Sequence, residues 1–188
     1  NQRQDITGLI ASDMGSSTRL TAAIGTRAFA TTVQTGLEKN GANGIYRATV
    51  PASGCPIDWT TVSRPDNGWP AGTAQGTPLP GNPLGRIDIA AAPSDPNVIY
   101  AQVAAPVSTN PVILGVWRSA NGGDTWTQVQ NGTISGSGTQ SWYNAGITVH
   151  PTDPNTFVLS AFSTFRSTTG GMPPGCQRRV GIGGIDSR

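Results

Sequence analysis

The sequence predicts an all-β fold assembled from repeated four-stranded antiparallel units, on three observations. Its apolar runs are short, rich in Val, Ile, Thr and Trp, and bounded by Gly, Pro, Asn and Asp. No long stretch keeps a helical period, and 25 Gly and 15 Pro among 188 residues oppose long helices. Two kinds of segment also recur in step along the chain.

The first unit spans about residues 5–62. Its Gly44-Ile45-Tyr46-Arg47-Ala48-Thr49 strand leads to Trp59-Thr60-Thr61-Val62 through a turn carrying Pro51, Gly54, Cys55 and Pro56. Residues 26–40 read as an inserted loop, and the Pro/Gly-rich stretch 63–85 as a long surface loop. The second unit, about 86–130, opens with Ile87-Asp88-Ile89-Ala90 and turns at Asp95-Pro96-Asn97. It continues through Val98-Ile99-Tyr100-Ala101 and Gly115-Val116-Trp117-Arg118-Ser119, and closes on Trp126-Thr127-Gln128-Val129. The third, from about 145 to 188, repeats the pattern with Ile147-Thr148-Val149, Asp153-Pro154-Asn155 and Phe165-Arg166-Ser167. It is incomplete, because Met172-Pro173-Pro174 stands where a Trp strand is due. Trp59 and Trp126 occupy matching positions and are both expected in the core. Spacings between matching positions differ because insertions fall in loops.

The segment Ser119-Ala120-Asn121-Gly122-Gly123-Asp124-Thr125-Trp126 is the sharpest signal. An Asx side chain hydrogen-bonds backbone two residues on, the glycines admit positive φ, and the Trp buries a large apolar face. The pattern resembles the Asp box of bacterial-neuraminidase-type repeats, with Asn121 in place of the usual Asp. The resemblance implies a β-propeller in which the box joins the last two strands of a blade. Ser119, Asn121, Gly123, Thr125 and Trp126 are then structural residues. Propellers close with about 4–8 blades, and this chain supplies between two and three. Further blades are therefore expected, from a longer parent chain or from another subunit, docking on the third-unit flank. A first residue other than Met also suits a processed or truncated product.

Composition narrows the function. Net charge is +2 and only 12% of residues are charged. The basic residues are scattered, which argues against nucleic acid as a partner. No apolar run approaches the roughly 18 residues of a membrane-spanning helix. Low charge with abundant Gly, Ser, Thr and Asn suits a secreted bacterial β-protein, extracellular or at the cell surface. Cys55 and Cys176 both fall in turn regions; a disulfide and two separate thiols remain open readings. Asn131-Gly132-Thr133 matches a glycosylation sequon but reads more simply as a hairpin turn. With one histidine, His150, and no ligand-spaced cluster, neither a metal nor a cofactor is expected.

Relatives that the resemblance implies include sialidases, xyloglucan-cleaving hydrolases and sortilin-type receptors. A glycosidase needs two carboxylates about 5–9.5 Å apart. Asp95 and Asp153 sit in turns that explain them, Asp124 lies in the box, and Asp58 and Asp66 lack a visible partner. Glu38 stands beside Lys39 as a surface pair. Asp88, between two isoleucines, is the one weak catalytic candidate. The Arg-Ile-Pro signature of sialidases is absent; Gly85-Arg86-Ile87-Asp88 only echoes it. The catalytic Asp of the xyloglucan enzymes would fall where Gly25-Thr26-Arg27-Ala28-Phe29 stands. The leading expectation is thus a non-enzymatic recognition and assembly module. The alternatives are a fragment of a glycoside hydrolase with carboxylates partly elsewhere, and a structural subunit completed by neighbouring chains. Trp69, Trp142 and Tyr143 lie outside the repeat and are candidates for stacking on a polysaccharide, or else for plugging gaps between blades.

Overall fold

The strand β6 (Asp95–Ala104) shows how the pattern builds the molecule. Side chains alternate across a strand, and here both faces are apolar. Ile99, Ala101 and Val103 enter one core, while Val98 and Tyr100 enter another. A strand buried on both sides needs a sheet on either side of its own. The computed structural model, which describes residues 5–25, 43–50, 53, 58–70, 84–105, 113–131, 140–161 and 163–171, has that arrangement.

Among the described residues, three antiparallel sheets follow one another along the chain. The first contains β1 (Asp5–Asp13), β2 (Thr18–Gly25), β3 (Gly44–Val50) and β4 (Thr60–Thr61), paired in chain order. The second pairs β5 (Ile87–Ala92), β6, β7 (Ile113–Ser119) and β8 (Thr127–Asn131) in the same way. The third has β9 (Gly146–Val149), β10 (Phe157–Ser160) and β11 (Thr164–Ser167); the position of its fourth strand lies outside the described residues. The sheets stack face to face, with β5 against β1 on one side and β9 on the other. First strands gathered on one side of a stack of up-and-down sheets make a portion of a β-propeller. Among the described residues, a helical turn, Ser141–Asn144, and a 3-10 turn, Pro65–Asn67, interrupt the β structure.

Each sheet interface has its own core. Between the first and second sheets, Ala23, Ile45 and Val62 meet Ile87, Ile99, Trp117 and Trp126. Between the second and third, Tyr100 and Val116 meet Val149, Phe157, Leu159 and Phe165, with Tyr100 and Phe157 rings 4.6 Å apart. Around these cores, side chains latch one sheet onto the turns of the next. Arg19 donates to the Asn97 side chain at 3.0 Å and to the Pro96 carbonyl, and Arg47 donates to the Gly122 carbonyl at 3.0 Å. Tyr100 donates to the Pro154 carbonyl at 2.8 Å, and Arg118 reaches Tyr100 and Asn155. Burial, then the neighbouring Arg47, lowers the Arg19 pKa, and burial raises that of Tyr100.

Two sequence expectations need correction. Trp59, expected in the core, is 44% exposed. Its counterpart Trp126 is buried because it points back at the preceding sheet, whereas no described sheet precedes the one that carries Trp59. The beginning of the stretch read as a surface loop is core instead: Ser63, Asn67 and Trp69 are all buried. Asn67 ties this segment down, donating to the carbonyls of Val62 and Asp124 at 2.9 and 3.1 Å and accepting from the Trp126 amide at 2.7 Å. Gly68, at φ +88°, is required, since a Cβ there would lie 2.0 Å from the Trp126 carbonyl oxygen.

Candidate functional site

The turn 119–126 is a hydrogen-bonded hairpin. The Ser119 hydroxyl accepts from the amides of Asn121 and Gly123 at 3.2 and 2.8 Å and donates to Asn121 Oδ1 at 2.9 Å. That oxygen also accepts from the Thr125 amide at 2.9 Å, and Asn121 Nδ2 donates to Thr125 Oγ1. Gly122 and Gly123 both take positive φ. Trp126 is buried against Val62 and Trp69 rather than within its own sheet, and its Nε1 donates to the Val62 carbonyl at 2.9 Å. A second turn follows the same logic: Gly170, at positive φ, donates to the Asn155 carbonyl at 2.7 Å, as Gly122 does to Asn97 at 2.9 Å.

Chemistry concentrates instead where the second sheet meets the third near the first strands. Arg86 and Asp88 stand two residues apart, so both project from one face of the strand. Arg86 Nε lies 2.7 Å from Asp88 Oδ2, and Nη2 donates to Oδ1 at 3.0 Å. The two side chains are only 15% and 13% exposed. The remaining donors of Arg86 reach the carbonyls of Tyr143 at 2.6 Å and Ala145 at 2.9 Å. The pair therefore staples the helical turn Ser141–Asn144 to the second sheet. Opposite Asp88 in register lies Gln102, fully buried, whose Nε2 donates to the Ser160 carbonyl at 3.0 Å.

Asp88 and Tyr143 thus come together, and Trp142 lies on the same helical turn. Tyr143 is 70% exposed on that anchored turn. Trp69 does not join them. It is 3% exposed, with its ring 4.9 Å from Trp126 and 6.0 Å from Trp117, so it fills a gap and offers no ligand face. Cys55 and Cys176 lie outside the described residues. Asp88 has each carboxylate oxygen within 3.0 Å of the Arg86 guanidinium, an ion pair that anchors the strand to the turn. Among the described residues, no group of three or more His, Cys, Asp or Glu gathers as a metal site, and no helix is long and apolar enough to cross a membrane.

The residues that sequence reasoning passed over are arginines. Arg86 was visible only in its faint Arg-Ile echo. Arg47, Arg118 and Arg166 shared a visible signal, the same place in each repeat, but only the stacked sheets give it a meaning.

No protein-family model matches the chain, and no curated protein matches it. Among solved structures, the chain is similar to the GH74 enzyme of Niastella koreensis, at 22% identity and a TM-score of 0.46. It is also similar to the GH74 xyloglucanase of Xanthomonas campestris, at 15% identity and a TM-score of 0.43. Each likeness covers 86% of this chain and 21% of the other, so this chain spans about a fifth of the length of those proteins.

Proposed function

We propose that this chain is an extracellular recognition and assembly module, a rigid stack of Asp-box propeller blades without catalytic activity of its own. One observation carries the reading: Asp88, on the first strand of the second sheet, is ion-paired with Arg86, while the turn that Arg86 anchors holds Tyr143 out in solvent. An anchored, exposed aromatic is a low-entropy stacking face for a sugar ring, whereas hydrolysis of a glycoside asks for two available carboxylates. A polysaccharide is the ligand class that this surface suits.

The second reading is a portion of a glycoside hydrolase whose carboxylates lie partly elsewhere. The polar Arg86–Asp88–Gln102 cluster beside an exposed Tyr favours it, as part of a substrate-contacting wall. Affinity electrophoresis in gels containing xyloglucan, with reducing-sugar release measured alongside, tests both. The expected result is retardation that Tyr143→Ala removes, with no sugar released. Release of sugar that Asp88→Asn abolishes would overturn the first reading in favour of the second. Equal migration with and without every polysaccharide tried would overturn the polysaccharide part of both.

A further inference from the structure

Arg47 and Arg118 hold the same place in the first and second sheets, on the third strand of each, yet they meet different partners. Arg47 donates to the Gly122 carbonyl at 3.0 Å and pairs with the Asp124 carboxylate at 2.9 Å. Arg118 donates through Nε to the Tyr100 hydroxyl at 3.1 Å and, more loosely, through Nη2 to Asn155 Oδ1 at 3.4 Å. Its guanidinium also stands 5.8 Å from the centre of the Tyr100 ring. All of these partners are neutral. Among the described residues, Arg118 has no carboxylate within ion-pair reach. The sequence holds the reason. Ser167–Gly171 repeats Ser119–Gly123, and the residue in step with Asp124 is Met172. The Asp153 carboxylate, in the same turn as Asn155, is engaged by the Thr156 hydroxyl and the Asn155 amide.

Arg118 lines a cleft of about 260 Å³ between the second and third sheets. The cleft lies at the β7–β8 edge of the second sheet, across the sheet from β5 and its Arg86–Tyr143 staple. Thr125 and Thr127 form one wall, and Asn155, Thr169 and Gly170 the other. The Thr125 hydroxyl accepts from Asn121 Nδ2 and so keeps its own proton to donate. The Thr169 hydroxyl donates to the Gly171 carbonyl and so keeps lone pairs to accept. Thr125, Thr127 and Thr169 are exposed, while Arg118 is half-buried. A half-buried guanidinium gains more from a carboxylate than from neutral oxygens, and its planar fork takes two carboxylate oxygens at once. Between the first and second sheets the chain supplies that carboxylate itself, through Asp124. Between the second and third, the described residues supply hydroxyls and an open cleft instead.

We propose that this cleft binds a uronic acid unit of an acidic polysaccharide, with the carboxylate on Arg118 and the ring hydroxyls against Thr125, Thr127 and Thr169. The ligand carboxylate takes the part for Arg118 that Asp124 plays for Arg47. Threonine hydroxyls both donate and accept, as the hydroxyls of a sugar ring do. An acidic side chain of a protein partner would reach the arginine but leave those hydroxyls unmatched. The size agrees, since the cleft is smaller than the roughly 300–1,000 Å³ of sites for drug-sized ligands and suits a single ring. The proposal rests on the polysaccharide part of the function above and adds a second contact, apart from Tyr143. The two fail separately: Tyr143→Ala leaves this cleft untouched, and changes in the cleft leave Tyr143 on its anchored turn.

The test is titration of the isotope-labelled chain with glucuronate, acetate, glucose and a glutamate-rich peptide at constant ionic strength, followed by amide shifts in nuclear magnetic resonance. Glucuronate is expected to give saturable shifts at the Thr125, Thr169 and Gly170 amides and to bind more tightly than the other three. Arg118→Gln and Thr169→Asp are each expected to weaken it by at least about tenfold, the worth of one hydrogen bond to a charged group. Thr169→Asp acts by placing a carboxylate inside the cleft. Its position is exposed, so the chain stays folded even if Arg118→Gln loosens the contact with Tyr100. Thr127→Val is expected to narrow the preference for glucuronate over acetate. Absence of saturable shifts at the highest soluble glucuronate concentration would overturn the proposal. So would binding that both Arg118→Gln and Thr169→Asp leave unchanged, or that Tyr143→Ala removes, because it would use another surface. Acetate or glucose binding as tightly as glucuronate, or the peptide binding more tightly, would equally overturn the uronate assignment.

Discussion

Replacing Trp126 by alanine tests the reasoning at the point where the first two sheets and the segment between them meet. Its ring is 4% exposed, lies 4.9 Å from Trp69 and donates to the Val62 carbonyl at 2.9 Å. Truncating a buried Trp to Ala costs about 3–5 kcal/mol, part of it from the cavity left behind. The aromatic pair with Trp69 accounts for about 0.5–1.5 kcal/mol of that beyond simple area. The bond to Val62 adds about 1 kcal/mol if water does not take the vacated place. The expected loss therefore sits at the upper end of the range, near 5 kcal/mol, a large share of the roughly 5–15 kcal/mol that stabilises a domain. Trp126→Phe keeps most of the apolar area and loses the donor, so about 1–2 kcal/mol is expected. Urea unfolding followed by circular dichroism gives both values. With a slope of about 2–3 kcal/mol per molar, alanine moves the midpoint by about 2 M and phenylalanine by about 0.5 M. An alanine variant whose midpoint shifts by less than the phenylalanine one would refute the idea that this Trp joins the first sheet to the second.

Two further outcomes follow from the same contacts. Arg86→Met leaves the largely buried Asp88 carboxylate without its partner, at about 3–5 kcal/mol, while Arg86→Met with Asp88→Leu costs much less; a double variant as unstable as the single would show that Asp88 is not held by this pair. The Asp153 carboxyl is held below the usual aspartate pKa, first by the Thr156 hydroxyl and then by the Asn155 amide. A depressed folded pKa adds stability that is complete above the unfolded value and is lost as pH falls through the folded one. Asp153→Asn should therefore flatten the acid limb of a stability-against-pH curve, and an unchanged limb would rule out the turn as its source.

How much of this was legible beforehand differs from residue to residue. The hairpin at Ser119–Trp126 could be read from eight letters because its bonds span two to four residues. The Asp95 and Asp153 turns are local in the same way, each aspartate accepting from the amide two residues on. The stapling of Tyr143 by Arg86 was not legible, since the two lie 57 residues apart and nothing in either segment points to the other.

Two tryptophans mark the boundary most clearly, Trp59, which was expected in the core, and Trp69, for which a sugar-stacking face and a gap filler were both open. The chain by itself determined the strands, their period of two, the turns between them and the repetition of the whole unit, because those depend on backbone geometry and on neighbours a few residues away. Only the tertiary structure decided which aromatic is covered. Trp69, outside the repeat, is buried because Trp126, carried on a different sheet, closes over it; Trp59, inside the repeat, stays in water because no described sheet precedes its own. Local pattern states which face of a strand a side chain takes, but burial needs a second surface, and that surface comes from a distant part of the chain or from another molecule.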